Sequence, residues 1–280
     1  MKDHIFTVDV EEYYHAENIY SSLSQNRISS LSSRLEIGLS KILDLLEDSN
    51  NKATFFILGN VAEKNKPLIK KISNAGHEVA SHGYNHKPVY RHTPETFRED
   101  LKKSIQVLSD MTGQRIVGYR APNFSPTRIS KEWFFSILQE HGIVYDSSVS
   151  FSLFHHNYDK SWKKQGYFEI SKGIIELPVS FISLGPIMFS LGGGYFRAYP
   201  YQFTRWCLNY ANRNNQTFIF YIHPWELDYM QPKHKISLIK YVRHYLNLRT
   251  TEHKIKVLLS EVKFVSARDL LNRFFTKGKI

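Results

Sequence analysis

Short apolar runs alternate with amphipathic helical stretches through most of this chain, and the runs end in polar residues. Residues 5–10 are rich in β-formers and close on Asp9-Val10-Glu11. Residues 53–58 are stopped by Gly59, and residues 77–81 run directly into a pair of histidines. Residues 116–119 lead into Arg120-Ala121-Pro122-Asn123, residues 144–146 follow, and residues 217–222 end at His223. Between these runs the period changes from two to 3.6. Residues 29–46 keep Leu31, Leu35, Leu39, Ile42, Leu43 and Leu46 on one helical face. Residues 66–75 carry Pro67 in the first turn and Gly76 at the end, and residues 93–112 and 131–140 repeat the helical pattern. This alternation predicts an α/β chain with parallel strands, whose functional groups gather at the C-terminal strand edge.

The pattern loosens over residues 151–199 and returns as a helix over 200–214, with outer helices expected at 237–246 and 266–275. No internal repeat, low-complexity tract or clean linker interrupts it. The 280 residues are therefore read as one domain, 1–280, elaborated in about 150–280.

The strand-end residues suggest chemistry. His82 and His86 are four residues apart, about one helical turn, so both imidazoles can face one side. Such a pair holds a divalent metal when a carboxylate reaches it from elsewhere. Asp9 and Glu11 are available, and in an extended strand they share a face while Val10 points away. Taken singly, each of these residues has an ordinary structural use. A histidine pair recurs by chance, Asp9 and Glu11 can be loop carboxylates or caps, His223 can be a satisfied core histidine, and Arg120 can be a structural ion pair.

Other signals exclude more than they assign. The single cysteine, Cys207, forms no internal disulfide, and its apolar surroundings favour an inert buried thiol over a nucleophile. Gly192-Gly193-Gly194 lacks the Gly-Lys-Ser/Thr ending of a nucleotide loop and reads as a close backbone approach or a tight turn. His155-His156 reads as part of an exposed loop. Trp162, Trp225, Tyr195 and Phe196 fit either a sugar subsite or the core. The formal net charge is +11, and residues 231–280 hold twelve Lys or Arg against three Asp or Glu. That excess suits solvated helix faces or attraction to an anionic membrane surface or glycan. Nucleic acid is not expected, because no binding module accompanies the charge. The N-terminus shows no apolar signal region, and no run of apolar residues is long enough to cross a bilayer. The cytoplasm is therefore the expected location, with the inner face of the membrane as its refinement.

In order along the chain, Asp9-Val10-Glu11, Ala53-Thr54-Phe55-Phe56, Ser81-His82-Gly83-Tyr84-Asn85-His86, Tyr119-Arg120-Ala121-Pro122, Asp146-Ser147-Ser148 and His223 resemble the motifs of the polysaccharide deacetylases. These are the nodulation-type enzymes of carbohydrate esterase family 4. The resemblance spans about residues 5–225. Residues 192–197 and His223-Pro224-Trp225-Glu226 look like the branch encoded with exopolysaccharide and surface-glycan assembly systems.

The resemblance implies a distorted, incomplete (β/α) barrel and one divalent ion, zinc by preference, on Glu11, His82 and His86. It implies Asp9 as general base, Arg120 orienting that base, Asp146 as an acid behind the site, and His223 as general acid. The backbone N–H of Asn123 would meet the oxyanion, and Tyr195, Phe196, Arg197 and Trp225 would touch substrate. The expected activity is removal of N-acetyl from an amino-sugar glycan or its lipid- or nucleotide-linked precursor. The competing readings are an allantoinase-like C–N hydrolase and a catalytically silent glycan-binding module. Two departures stand out. Val10 replaces the usual second aspartate, so Glu11 must substitute for it, and Asn123 replaces the usual tyrosine.

Overall fold

The computed structural model describes residues 3–150, 166–171, 173–184 and 187–274. Eleven strands are present among them. They are β1 (His4–Val10), β2 (Thr54–Ile57), β3 (Glu78–Ser81), β4 (Gly118–Tyr119), β5 (Tyr145–Asp146), β6 (Phe168–Ser171), β7 (Ile174–Glu176), β8 (Phe181–Leu184), β9 (Ile187–Ser190), β10 (Ile219–Ile222) and β11 (Phe264–Val265). The helices are α1 (Glu17–Tyr20), α2 (Gln25–Ser29), α3 (Leu35–Asp48), α4 (Gly59–Lys64), α5 (Lys66–Asn74), α6 (Pro94–Thr112), α7 (Lys131–Glu140), α8 (Gly193–Ala198), α9 (Tyr201–Arg213), α10 (Leu238–Tyr245), α11 (Leu248–Glu261) and α12 (Ala267–Phe274).

The main sheet runs β10-β1-β2-β3-β4-β5-β7-β6, with β11 also paired to β1. Its ladders are parallel except for the antiparallel β6–β7 pair, and β8–β9 form a separate hairpin. The curled, open sheet is the incomplete (β/α) barrel that the strand–helix alternation and the family resemblance implied. β10 and β11 come late in the chain yet flank β1, so the looser second half of the sequence builds part of the same sheet.

The two faces of β1 divide the molecule. Phe6, Val8 and Val10 join the large apolar cluster beneath the helices, with Leu39, Ile42 and Leu46 of α3 and Ile255 and Leu258 of α11. Ile5 lies in a second cluster with Phe56, Ala80, Val117, Tyr145 and Ile219, which fills the inside of the curl. Leu270 and Leu271 of α12 close that cluster at the level of Ile5. Because strand side chains alternate, Ile5 sends Thr7 and Asp9 to the same inner face, and Asp9 comes last, at the C-terminal end.

Three expectations need correction. The helix expected over 29–46 is two helices, α2 and α3, with a break between them. The cause is Glu12, whose carboxylate accepts hydrogen bonds from the Ser33 hydroxyl and from the Arg34 N–H, at 3.1 Å for the latter. A carboxylate at a helix N-terminus satisfies an orphan amide and fixes where α3 begins. α11 was not expected at all; its buried side is Leu248, Thr251, Ile255, Leu258 and Leu259. Finally, residues 192–194 do not approach an open pocket. A Cβ on Gly192 would meet the Tyr221 ring at 2.3 Å, so these glycines let α8 pack against β10.

The late histidine loop is held by a similar contact. A Cβ on Gly38 would lie 1.8 Å from the Pro224 carbonyl oxygen. Only glycine lets α3 approach the turn at Pro224–Leu227 this closely, and that turn carries His223 at its start. His155, His156 and Trp162 lie outside the described residues.

Candidate active site

Each candidate residue is placed by the end of a strand. Asp9 ends the inner row of β1, and Glu11 follows one residue beyond that strand. His82 follows β3, Arg120 follows β4, and His223 follows β10. Adjacent parallel strands in register bring these ends together: Asp9 lies opposite Phe56 of β2, Ile57 opposite Ser81, and Ser81 opposite Tyr119.

The histidine pair meets without a helix. Residues 82–86 form a loop in which Gly83 and His86 both take positive φ, 79° and 55°. The helical-turn argument thus named the right pair for the wrong local geometry. A left-handed histidine is uncommon, and here it turns the His86 ring back toward Glu11. His86 Nε2 lies 2.6 Å from Glu11 Oε2. His82 donates from Nδ1 to the Arg120 carbonyl at 2.8 Å, which leaves Nε2 for the site. The Trp225 indole donates to Glu11 Oε1 at 3.1 Å.

The donor set fits a divalent ion. One ligand atom from each of Glu11, His82 and His86 lies within 4.8 Å of the other two, and all three residues are buried. Two imidazoles and a carboxylate suit zinc, and each ligand has a partner that fixes its orientation. Two ligands on one tetrahedral ion lie about 3.3 Å apart, so Glu11 and His86 part slightly to take one. Burial lowers His82 to about 4, against the opposing carboxylates, so it is a neutral imidazole with a free lone pair. Burial alone would raise Glu11, but the His86 and His223 imidazoles outweigh it and hold the carboxyl well below its usual range. His15 stacks on His86 at 5.3 Å, and burial lowers it to about 3.

Asp9 and Arg120 form a buried pair. Arg120 Nη1 donates to Asp9 Oδ1 at 2.6 Å and to the Thr7 hydroxyl at 2.8 Å. Its remaining nitrogens donate to the Ser147 carbonyl and hydroxyl, at 3.0 and 2.7 Å. The guanidinium is thus fully engaged, and it fixes one oxygen of Asp9. The second oxygen, Oδ2, lies 3.9 Å from His223 Nε2.

His223 has a carboxylate on each side. Nε2 is 3.7 Å from Glu11 Oε1, and Nδ1 donates to Glu226 Oε1 at 2.7 Å. Burial lowers the imidazole pKa, but Glu11, Glu226 and Asp9 outweigh it and push it up to about 9. Glu226 is itself gripped by Arg197 Nε at 2.6 Å. Burial opposes its ionisation, yet Arg197 and His223 lower its pKa below the ordinary value. The sequence reading passed over Glu226. A usable signal existed: it sits three residues after His223, across a proline-initiated turn, where i and i+3 side chains meet.

The remaining candidates divide. Tyr195 and Trp225 line the pocket, a cleft of about 710 Å³ that also exposes Asp9, Glu11, His82, His86, Asn123, Tyr221 and His223. Arg197 borders it too, but its guanidinium is committed to Glu226 and to the carbonyls of Arg243, His244 and Leu246. Its expected substrate contact is therefore replaced by an internal role. Phe196 was also expected to touch substrate. It is instead buried in the main core against Phe220, at 4.9 Å between ring centroids. Asn123 adopts φ 56°, and its side chain donates to Glu17 at 3.2 Å.

Asp146 stands behind the site. It accepts from the Ser148 hydroxyl at 2.6 Å, and that hydroxyl accepts from the Ala121 N–H at 2.8 Å, bracing the loop after Arg120. Asp146 also faces Glu176, its register partner on β7. Burial raises both carboxyls, Asp146 to about 6, and the Asp146 charge pushes Glu176 well above its ordinary range. A proton on Glu176, donated to Asp146, accounts for the arrangement.

This pair gives a pH prediction. The native state keeps a proton that the unfolded chain, with ordinary values of 4.5 and 3.8, has lost. Its contribution to stability is therefore greatest below those values and is lost as pH rises through about 6 and beyond. Glu176→Gln keeps the donor and removes the titration. Its stability relative to the parent should increase between about pH 5 and 8, on the order of 1–3 kcal/mol, in urea unfolding. A gap that stays constant with pH would mean no shared proton.

An open (β/α) barrel with a histidine–carboxylate centre at its strand C-termini is the class that fold and site define. Residues 37–144 match the family model "Polysaccharide deacetylase", and the chain belongs to that family. Residues 147–272, which include β10, His223 and α10, match a model described as "Domain of unknown function (DUF3473)".

Among curated proteins, the chain is 33% identical over 135 residues to a peptidoglycan deacetylase of Helicobacter pylori, covering 47% of this chain and 45% of that protein. It is 39% identical over 84 residues to a peptidoglycan-N-acetylglucosamine deacetylase of Bacillus cereus, 30% of this chain and 28% of that one. The chain thus spans less than half the length of these relatives.

Among solved structures, a polysaccharide-deacetylase-like protein of Mycobacterium smegmatis superposes with TM-score 0.65 at 20% identity, over 97% of this chain and 89% of that one. The PuuE allantoinase superposes with TM-score 0.64 at 14% identity, over 99% and 92%. At these identities the likeness establishes the fold alone. The chemistry must be argued from the residues in the pocket.

Proposed function

We propose that this protein is a metal-dependent hydrolase that removes N-acetyl groups from amino sugars of a surface glycan or its biosynthetic precursor. The observation that carries this reading is the meeting of Asp9, Glu11, His82, His86 and His223 in one cleft. The family and the curated relatives, which are deacetylases of peptidoglycan, support an acetylated glycan as the substrate class. An allantoinase-like activity is disfavoured, because the chain keeps the complete ligand, base and acid set.

Glu11, His82 and His86 would hold the ion, for which zinc is the best fit. When bound, it polarises an acetamide carbonyl and acidifies a water. Asp9 takes the proton of the attacking water through Oδ2, because Oδ1 is tied to Arg120. Arg120 fixes the direction of that oxygen and is not consumed. His223 is cationic at neutral pH, and Glu226 holds its Nδ1, so Nε2 presents the proton to the departing amine. The backbone N–H of Asn123 is assigned to the oxyanion. Tyr195 and the face of Trp225 are assigned to the sugar.

Acetate release from a panel of N-acetylated glycans and lipid- or nucleotide-linked precursors tests the proposal. Release that disappears on chelation and returns with zinc is expected. Turnover of ureides without acetate release would instead support the allantoinase-like reading. Glycan binding with no turnover by the zinc-loaded protein would make it a silent module.

A further inference from the structure

The basic C-terminal region does not form one charged face. Lys254 is spent on the carbonyls of Phe196, Arg197 and Tyr199, Lys263 on that of Asn50, and Arg268 on Glu78 and the Arg115 carbonyl. The charge that remains around α10 keeps different company. From residue 229 to residue 251 the chain has Lys233, Lys235, Lys240, Arg243 and Arg249 and no acidic residue. On α10 and at its C-terminal end, Leu238, Ile239, Val242 and Leu246 are 77%, 68%, 45% and 39% exposed. Leu238, Val242 and Leu246 are spaced i, i+4, i+8, and Ile239 flanks them, so the four form a single apolar stripe of about 100°.

This stripe belongs to a fixed helix. The opposite side of α10 buries His244, which stacks on Trp225 at 4.5 Å and bonds Gln231 at 2.8 Å. Arg197 holds the carbonyls of Arg243, His244 and Leu246, so the helix end is clamped to the Glu226–His223 pair. The same helix borders the catalytic cleft through Val242, Arg243 and Leu246. An apolar stripe flanked by basic residues, on a short rigid helix, is the composition that settles into the headgroup layer of an anionic bilayer. No helix among the described residues is long and apolar enough to cross a membrane, so contact through α10 would be peripheral.

We propose that α10 docks the protein on an anionic lipid surface and holds the mouth of the cleft against it. The charge complementarity names the occupant. A second copy of this chain would bring five like charges against five, and a neutral partner would leave them unused. The position of α10 sets the consequence: a glycan carried on a lipid reaches the cleft from that surface. Docking stands whether or not the pocket hydrolyses acetamides.

Sedimentation of the full chain with phosphatidylcholine vesicles, and with vesicles containing one-quarter phosphatidylglycerol, tests the proposal at low and high salt. Sedimentation velocity alone reports self-association. Binding to the anionic vesicles only, weakened by salt, is expected. The exposed pair Leu238→Asn with Ile239→Asn, which touches no catalytic group, should lower that binding roughly tenfold or more with an unchanged thermal melt. No binding at low salt overturns the proposal. So does equal binding to both vesicle types, or anionic binding that the double variant retains. A concentration-dependent dimer that the double variant abolishes, without vesicle binding, would assign the face to a second copy instead.

Discussion

Replacing His82 and His86 together with alanine is expected to remove the divalent ion and the acetate release in one step. The two imidazoles supply two of the three protein ligands in the proposed set, and the carboxylate of Glu11 alone makes a weak site. Both histidines lie in a loop beyond β3, so the barrel should still form. One fold contact is lost, the hydrogen bond from His82 to the Arg120 carbonyl. Stability should therefore fall by about 1 kcal/mol, while metal content falls from about one equivalent to none. Elemental analysis of the purified variant decides it. If the double variant keeps its ion, the ligand set is elsewhere. Glu11→Gln is the graded companion: it keeps an oxygen for the Trp225 indole but loses the charge, so its activity should recover in excess zinc.

Asp9→Asn separates proton transfer from ion binding. The variant should keep its metal and lose about 10²–10⁴-fold in turnover, the usual contribution of a positioned base. Its stability should fall as well. Asp9 is the anionic partner of a guanidinium with no exposure to solvent, and breaking a buried pair from one side costs about 3–5 kcal/mol when nothing replaces it. Asparagine retains an acceptor for Arg120, so the loss should be at the low end of that range. Turnover must therefore be measured per folded, metal-loaded molecule. If Asp9→Asn loses the metal while Glu11→Gln keeps it, the two carboxylates have exchanged roles.

Particular residues show what was legible in the sequence. The spacing of Asp9 and Glu11 about Val10 was readable because a strand alternates its side chains, and both carboxylates do lie within 4 Å of His223 Nε2. The pairing of Arg120 with Asp9 followed from the family resemblance and is present at 2.6 Å. Phe196 and Arg197 were not readable. A phenylalanine beside glycines is equally at home in a core or a sugar subsite, and only the packing of α8 on β10 sends it inward. Arg197 became structural because the end of α10 offers it three carbonyls. Glu226 was overlooked because its neighbour Trp225 resembled a binding residue, although the turn that joins Glu226 to His223 is entirely local.

The sequence by itself determined the class of fold and the identity of the ligand, base and acid candidates. Those rest on local periodicity and on short motifs, which act over a few residues. Only the tertiary structure decided three further matters. It broke the helix expected over 29–46, because Glu12 reaches Ser33 and Arg34 from about twenty residues away. It made the histidine pair a loop, because the His86 ring is turned back toward a carboxylate from β1. And it set Glu226, Arg197 and the end of α10 in line behind His223, since the parallel β1–β10 ladder brings residues more than 200 positions apart within reach. Such contacts depend on how strands are ordered across the sheet, and no periodicity in a single chain encodes that order.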